Sequence, residues 1–273
     1  LDRMRVVKEP GELALMREAA ELAARGHLAA MRAGRPGVGE WEIQALLDQT
    51  FRSYSADSGT SFPAIVGSAA NGTVLHYVTN DRRIEDGDLV LVDAGAEVGF
   101  YCSDITRTFP ASGRFTAPQR AVYDVVLAAL EAGIEAVRPG AGVKEVHQAS
   151  RSVLVQGMID LKLLEGDPEK LIEEETFKRF FMHNTSHWLG LDVHDPGQYT
   201  ERSGEPVVLR PGMVLTVEPG LYIPADAEDV PAELRGIGIR LEDDVLVTED
   251  GHEILTRAVP VDPDEVERIC SES

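Results

Sequence analysis

Apolar residues at the start of the chain recur at helical spacing. In PGELALMREAAELAARGHLAAMRAGRPG, Leu13, Met16, Ala20, Ala23 and Leu28 share one face, with Pro10 near the start and Gly34 near the end, which predicts a long amphipathic helix with a built-in stop. A second helix is expected from VGEWEIQALLDQTFRSY. The texture then changes to Gly, Ser and Asn between short apolar runs, as in strands joined by turns, with DLVLVDAG and GFYCSDITRTFP as strand-like segments. Helical spacing returns in APQRAVYDVVLAALEAGIEAVRPGAGVKEVHQASRSVL.

The return is a repeat. RPGVGEWEI at 35–43 recurs as RPGAGVKEV at 138–146, each after one long helix and opening another. EDGDLVLVDAG at 85–95 aligns with LRPGMVLTVEPG at 209–220, setting Gly87 opposite Gly212 and Asp93 opposite Glu218. A supersecondary unit of helices and strands occurring twice predicts an α+β domain with pseudo-twofold halves, a curved antiparallel sheet, helices outside, and a site where the halves face each other. A carboxylate in a buried strand is costly unless paired or metal-bound. Here such acids arise at equivalent points of both halves.

Further chemistry gathers around them. Asp104 lies in the strand-like GFYCSDITRTFP, and Glu242 in GIGIRLEDDVLV follows Arg240 by two residues, placing both on one face of a strand with Asp243 on the other. In RFFMHNTSHWLGLDVHDPG, His183, His187 and His194 fall within twelve positions of a chain that has 7 histidines. One histidine alone reads as a hydrogen-bonded core residue; the acids that can meet these three change that reading. Asp93, Asp104, His187, Glu218 and Glu242 supply four carboxylates and one imidazole, enough for two divalent cations sharing bridging carboxylates. Without cations the cluster would repel itself. An oxygen-rich set with one nitrogen and no thiolate favours manganese, with cobalt or zinc able to compete.

Composition narrows the function classes. With 47 acidic against 26 basic residues and a net charge of -21, attraction to nucleic acid or to an anionic membrane is not expected, whereas cationic ligands are favoured. Two cysteines, Cys102 and Cys270, form neither a disulfide framework nor a CxxC site, which suits a reducing, cytoplasmic compartment. No apolar run approaches the roughly 18 residues of a membrane helix, and LDRMRVVKEP has no signal-peptide core. The first residue is leucine, so a processed chain or a piece of a longer one is expected. Trp188 and Cys102 are read as core, the EEE run at 173–175 as a solvated helix face, and His27, His147 and His252 are given no role.

Five motifs in order, NGTVLHY, VDAGAEVGFYCSDITRTFP, MHNTSHWLGLDVHD, LTVEPGLYIP and RGIGIRLEDDVLVTEDGHEILT, resemble the catalytic, pita-bread domain of the aminopeptidase P family, within the methionine aminopeptidase and prolidase superfamily. The resemblance covers nearly the whole chain. It implies one catalytic metallopeptidase domain over residues 1–273, without the creatinase-type domain that usually precedes it. It also implies metal ligands at Asp93, Asp104, His187, Glu218 and Glu242, with Asp104 and Glu242 bridging.

The same resemblance implies that His194 stabilises the oxyanion at the scissile carbonyl, that His76 lies toward the scissile nitrogen, and that His183, Tyr222 and Arg240 wall the proline subsite. Glu218 would accept the proton of the attacking water and pass it to the leaving nitrogen. The implied reaction is hydrolysis of the N-terminal Xaa-Pro bond, with peptides carrying proline at the second position as partners and an assembly of like subunits left open. A prolidase restricted to dipeptides and a non-catalytic pita-bread binding module are the alternatives, the latter disfavoured because all five ligands are present. The family's usual His-Gly is here His183-Asn184, a departure whose effect the sequence does not tell.

Overall fold

The computed structural model describes residues 2–272, with side chains from residue 4 onward; the domain bounds expected at residues 1 and 273 lie outside this range. After a short helix α1 (Asp2–Val6), the first amphipathic stretch forms α2 (Pro10–Ala33). Its entry is fixed by Glu12, whose carboxylate accepts the Glu9 amide at 2.6 Å. Met16, Ala19, Leu22, Ala23 and Ala30 are buried on its inner face, and α3 (Glu40–Arg52) follows.

The strands of the first half are β1 (Ser58–Thr60), β2 (Ile65–Ser68), β3 (Leu89–Asp93), β4 (Ala96–Val98), β5 (Tyr101–Cys102) and β6 (Thr106–Pro110). They pair antiparallel in the orders β2-β3-β6 and β1-β4-β5. The second half opens with α4 (Ala117–Ala136) and α5 (Val143–Asp160), then the short α6 (Pro168–Glu173). Its strands are β7 (Val214–Val217), β8 (Gly220–Tyr222), β9 (Gly238–Arg240), β10 (Asp243–Val247) and β11 (His252–Ile254), and α7 (Pro263–Ser271) ends the chain. The sheets here are β11-β10-β7 and β8-β9.

The repeat read from the sequence extends to the backbone. Gly37 and Gly140, matched in RPGVG and RPGAG, take φ of 93° and 87°, and Gly87 and Gly212 take 87° and 88°, a left-handed region that disfavours side chains. Each half has its own apolar core, one around Val90, Val92 and Phe109 and the other around Val126, Trp188, Val217 and Val245. The expected sheet is assembled from short pieces joined at a seam, where Thr106, the first residue of β6, bridges Glu242, between β9 and β10. Arg107 locks that seam. Fully buried, it donates to Asp243 at 2.7 Å and to the carbonyls of Glu242 and Val259 at 2.6 and 2.8 Å, so its charge is paired and its donors are used.

Two local expectations change. GFYCSDITRTFP is not one strand: β5 ends at Cys102 and β6 begins at Thr106. The ladder breaks because the Cys102 amide donates to Gly190 and the Asp104 amide to the Asp244 carboxylate, at 2.8 and 3.0 Å. The EEE run ends a helix instead of lining one, since α6 stops at Glu173 and Glu175 is left-handed with φ of 55°. Trp188 and Cys102 are core residues, 0% and 2% exposed. Among the described residues no helix is long and apolar enough to cross a membrane.

Candidate active site

The seam brings the acids together. β3 delivers Asp93 at its last position, the β5–β6 break delivers Asp104, and the residues after β9 deliver Glu242. Asp104, His187 and Glu242 can each place one ligand atom within 4.8 Å of the others. His187 Nε2 lies 3.5 Å from Asp104 and 3.7 Å from Glu218, which closes the cluster from the second half. His187 Nδ1 lies 3.1 Å from the Trp188 carbonyl. Because a carbonyl only accepts, that contact puts the proton on Nδ1 and leaves the Nε2 lone pair facing the carboxylates, the tautomer a metal ligand needs.

The cluster is severely desolvated. Burial, with repulsion from Asp93, Asp244 and Glu218, holds Asp104 well above the usual carboxylate range. Burial likewise raises Glu242, with Asp104 as its largest repulsive neighbour, and pushes Glu218 up to about 7 against the pull of His187 and Arg240. The buried Oδ1 atoms of Asp93 and Asp104 have no hydrogen-bond partner. Buried acceptors of this kind require an explanation. A bound cation would supply it, satisfying the free oxygens and offsetting the repulsion at once.

Arg240 organises the other side of the cluster. Its guanidinium reaches Asp93 at 2.5 Å, the Tyr222 hydroxyl at 3.1 Å and Thr106 Oγ1 at 3.1 Å, while Thr106 donates to Glu242 at 2.6 Å. Burial alone would lower its pKa, but Tyr222, Asp93, Glu242 and Glu218 outweigh burial and raise it. Tyr222 in turn meets His183 Nε2 at 2.8 Å. Burial and Arg240 lower His183 to about 3, so this ring is neutral at physiological pH. The ring of His194 packs edge-on against His187 with centroids 4.4 Å apart, and burial, followed by the neighbouring His187, lowers its pKa.

His76 is carried on an exposed loop but lines the same cavity of about 890 Å³ as Asp93, Asp104, His183, His187, His194, Glu218, Arg240 and Glu242. Tyr222 stands behind that wall and meets it through its hydroxyl. The His76 loop follows a 3-10 turn at Ala69–Thr73 that packs on β9; a methyl group on Gly238 would lie 2.2 Å from the Gly72 carbonyl oxygen. All residues expected from the sequence therefore meet in or beside one cavity.

Sequence reasoning missed the residues that hold these parts in place. Glu40, fully buried at the start of α3, accepts from the Ser68 amide and hydroxyl, Asn71, Tyr77 and the Arg82 amide at 2.7–3.1 Å, fastening both ends of the loop that bears His76. In the sequence it looks like any acid favoured in a helix's first turn. Asp195, next to His194, is buried between Lys8, at 3.4 Å, and Arg5. His27 meets the Ala94 carbonyl at 2.9 Å beside Asp93, and burial lowers its pKa to about 4. His147 meets Thr185 at 2.8 Å. Such partners lie 28 or more residues away, beyond any local pattern.

Comparison with known proteins agrees with this geometry. The chain is 47% identical over 266 residues to the Xaa-Pro aminopeptidase of Escherichia coli (strain K12), covering 97% of this chain and 59% of that protein. Aminopeptidase PepP of Pseudomonas aeruginosa superposes with a TM-score of 0.96 at 47% identity, covering 98% of this chain and 60% of that one. Zinc-substituted Escherichia coli aminopeptidase P in complex with product gives 0.93 at 47% identity, over 98% and 60% of the two chains. The fold is therefore the pita-bread fold, and the chain spans about three-fifths of the length of these relatives. The model of metallopeptidase family M24 matches residues 14–249, and the chain belongs to that family.

Proposed function

We propose that the protein is a metal-dependent aminopeptidase that hydrolyses the N-terminal Xaa-Pro bond of peptides, as the names of its relatives state for them. One observation carries this reading: a histidine in the ligand tautomer faces buried, mutually repelling carboxylates at the wall of a cavity large enough for a peptide. Asp93, Asp104, His187, Glu218 and Glu242 would hold two divalent ions, Asp104 and Glu242 shared between them, with manganese the best match to an oxygen-rich set and cobalt or zinc competing. When bound, the ions supply Lewis acidity toward the scissile carbonyl and make a water acidic enough to react near neutral pH.

The remaining chemistry belongs to side chains. Glu218, which burial raises to about 7, accepts a proton from the attacking water and returns it to the departing ring nitrogen. That return is needed because an Xaa-Pro bond has no N–H of its own. His194, beside His187 on the cavity wall, offsets charge on the carbonyl oxygen, and His76 faces the scissile nitrogen. His183, Tyr222 and Arg240, joined by hydrogen bonds at 2.8 and 3.1 Å, form a rigid wall against the proline ring. The net charge of -21 argues against nucleic-acid and anionic-membrane partners, and the unpaired Cys102 and Cys270 suit a cytoplasmic setting.

The test is a manganese titration of chelator-treated protein with an Xaa-Pro-Yaa tripeptide, following release of the first residue. Cleavage of Xaa-Pro-Yaa with little of Xaa-Ala-Yaa is expected. Equal cleavage of both would refute selection for proline by this wall. Cleavage of Xaa-Pro dipeptides alone would identify a prolidase.

A further inference from the structure

One wall of the cavity plays no part in the chemistry above. It is a face of α5, on which Lys144, His147, Gln148 and Arg151 line the same cavity. Their spacing of three, four and seven residues puts them on one stripe about 10 Å long, at 1.5 Å per residue. Arg151 is half-buried. Its guanidinium lies over the Phe177 ring, 5.8 Å from the centroid, and its Nε is buried without a hydrogen-bond partner. Among the described residues neither Arg151 nor Lys144 has a carboxylate within 4.0 Å. In a chain with 47 acids and 26 basic residues, two cations on one wall of the cavity, neither of them paired with an acid, are free to meet an anionic group of a ligand.

The position of this stripe points to which part of a peptide it would meet. His147 stacks on Phe181 with centroids 5.8 Å apart, and Phe181 meets His183 edge-on at 4.9 Å. α5 thus borders the cavity on the side of His183, while His194 lies against His187. A peptide whose second residue rests against His183, Tyr222 and Arg240 would send its downstream end along α5. At 3.3–3.6 Å per extended residue, a third or fourth residue comes within range of a stripe of this length carrying flexible arms.

We propose that Arg151, assisted by Lys144, binds the C-terminal carboxylate of short peptide substrates. The substrate class of this site is then tri- and tetrapeptides with a free C-terminus. This inference rests on the orientation given under the proposed function. A guanidinium that is packed on an aromatic ring and lacks an internal acceptor is already held in place, so a carboxylate adds charge-assisted hydrogen bonds without breaking an existing pair.

The experiment compares Xaa-Pro-Yaa and Xaa-Pro-Yaa-Zaa as free acids and as C-terminal amides on the metal-loaded protein. The acids are expected to exceed the amides about tenfold in kcat/KM, chiefly through KM, as for hydrogen bonds to charged groups. That ratio should shrink at high salt. It should collapse toward one in Arg151→Met, which keeps the packing on Phe177, and fall partly in Lys144→Gln, whereas Arg138→Gln, a charge change outside the cavity, should leave it intact. A ratio near one in the unaltered protein, or one that survives Arg151→Met, overturns the proposal. So does discrimination of a third-position aspartate amide over its asparagine amide with terminal acid and amide alike, which would assign the site to a side chain. Calorimetric titration of Pro-Yaa acid and amide, which contain no Xaa-Pro bond, reads the same ratio without turnover. A failure of Xaa-Pro cleavage is thereby separated from a failure of carboxylate binding.

Discussion

Loading metal into this site should expel protons. Burial and mutual repulsion keep Asp104 and Glu242 well above the usual carboxylate range, and Glu218 lies at about 7. The metal-free cluster therefore retains protons that ordinary carboxylates would have lost, with Glu218 about half protonated at pH 7. Cations displace them, so apparent affinity rises steeply with pH. Titrating Mn²⁺ into chelator-treated protein in buffers of different ionisation enthalpy counts the protons released.

The same acids dictate how metal-free stability varies with pH. A carboxyl whose pKa is higher folded than unfolded binds more protons in the folded state, so stability present at low pH is lost as pH rises from the unfolded value toward the folded one. For Glu218 that window runs from 4.5 to about 7. At 1.36 kcal/mol per unit its contribution is on the order of 3 kcal/mol. Metal-free protein should thus melt progressively lower between pH 4.5 and 7, and manganese should restore the loss. Metal binding at pH 7 without proton release, or metal-free stability that does not fall across this window, would refute the electrostatic account of the cluster.

Asp104→Asn should abolish turnover and disturb ion binding as a whole, because Asp104 stands between Asp93 and the second-half ligands; metal analysis of the purified variant checks this. His194→Ala should retain metal yet lose roughly 10² or more in kcat, whereas His187→Ala should lose metal, a contrast read by combining metal analysis with steady-state kinetics. Glu40→Gln replaces an acceptor for donors from Ser68, Asn71, Tyr77 and Arg82 with a group that is half donor. It should cost about 1–3 kcal/mol in denaturant unfolding and raise KM through the His76 loop.

The sequence is most informative where chemistry conflicts with local pattern. The acids that close VLVD and LTVE stand out against their apolar neighbours, and the repeat sets them opposite each other by alignment of the two halves alone. Gly37 with Gly140 and Gly87 with Gly212 are legible for the same reason: each turn needs a left-handed residue, and the requirement recurs. Less legible are groups whose function depends on distant partners. Asp195 resembles a surface acid until Lys8 and Arg5 arrive from 187 and 190 residues away. Asp104 stands out, but the break that carries it does not, because the amides around it bond to Gly190 and Asp244 instead of to neighbouring strands. The α5 stripe is hidden differently. Lys144 and Arg151 look like ordinary solvated residues of an amphipathic helix, and only the fold turns that face into the cavity.

The seam locked by Arg107 also bears on the order in which the protein forms. Asp93 and Arg107 emerge from synthesis early, but Arg240 and Asp243, which neutralise them, follow 147 and 136 residues later. A first half folded alone would hold an unpaired buried guanidinium and an unpaired carboxylate, so its final closure must wait for the last quarter of the chain. Contacts spanning so much sequence close slowly, and the unit that closes last is weakly represented in the folding transition state. Substitutions at the seam should then act mainly on the unfolding rate, making the catalytic cluster a determinant of how long the native protein persists.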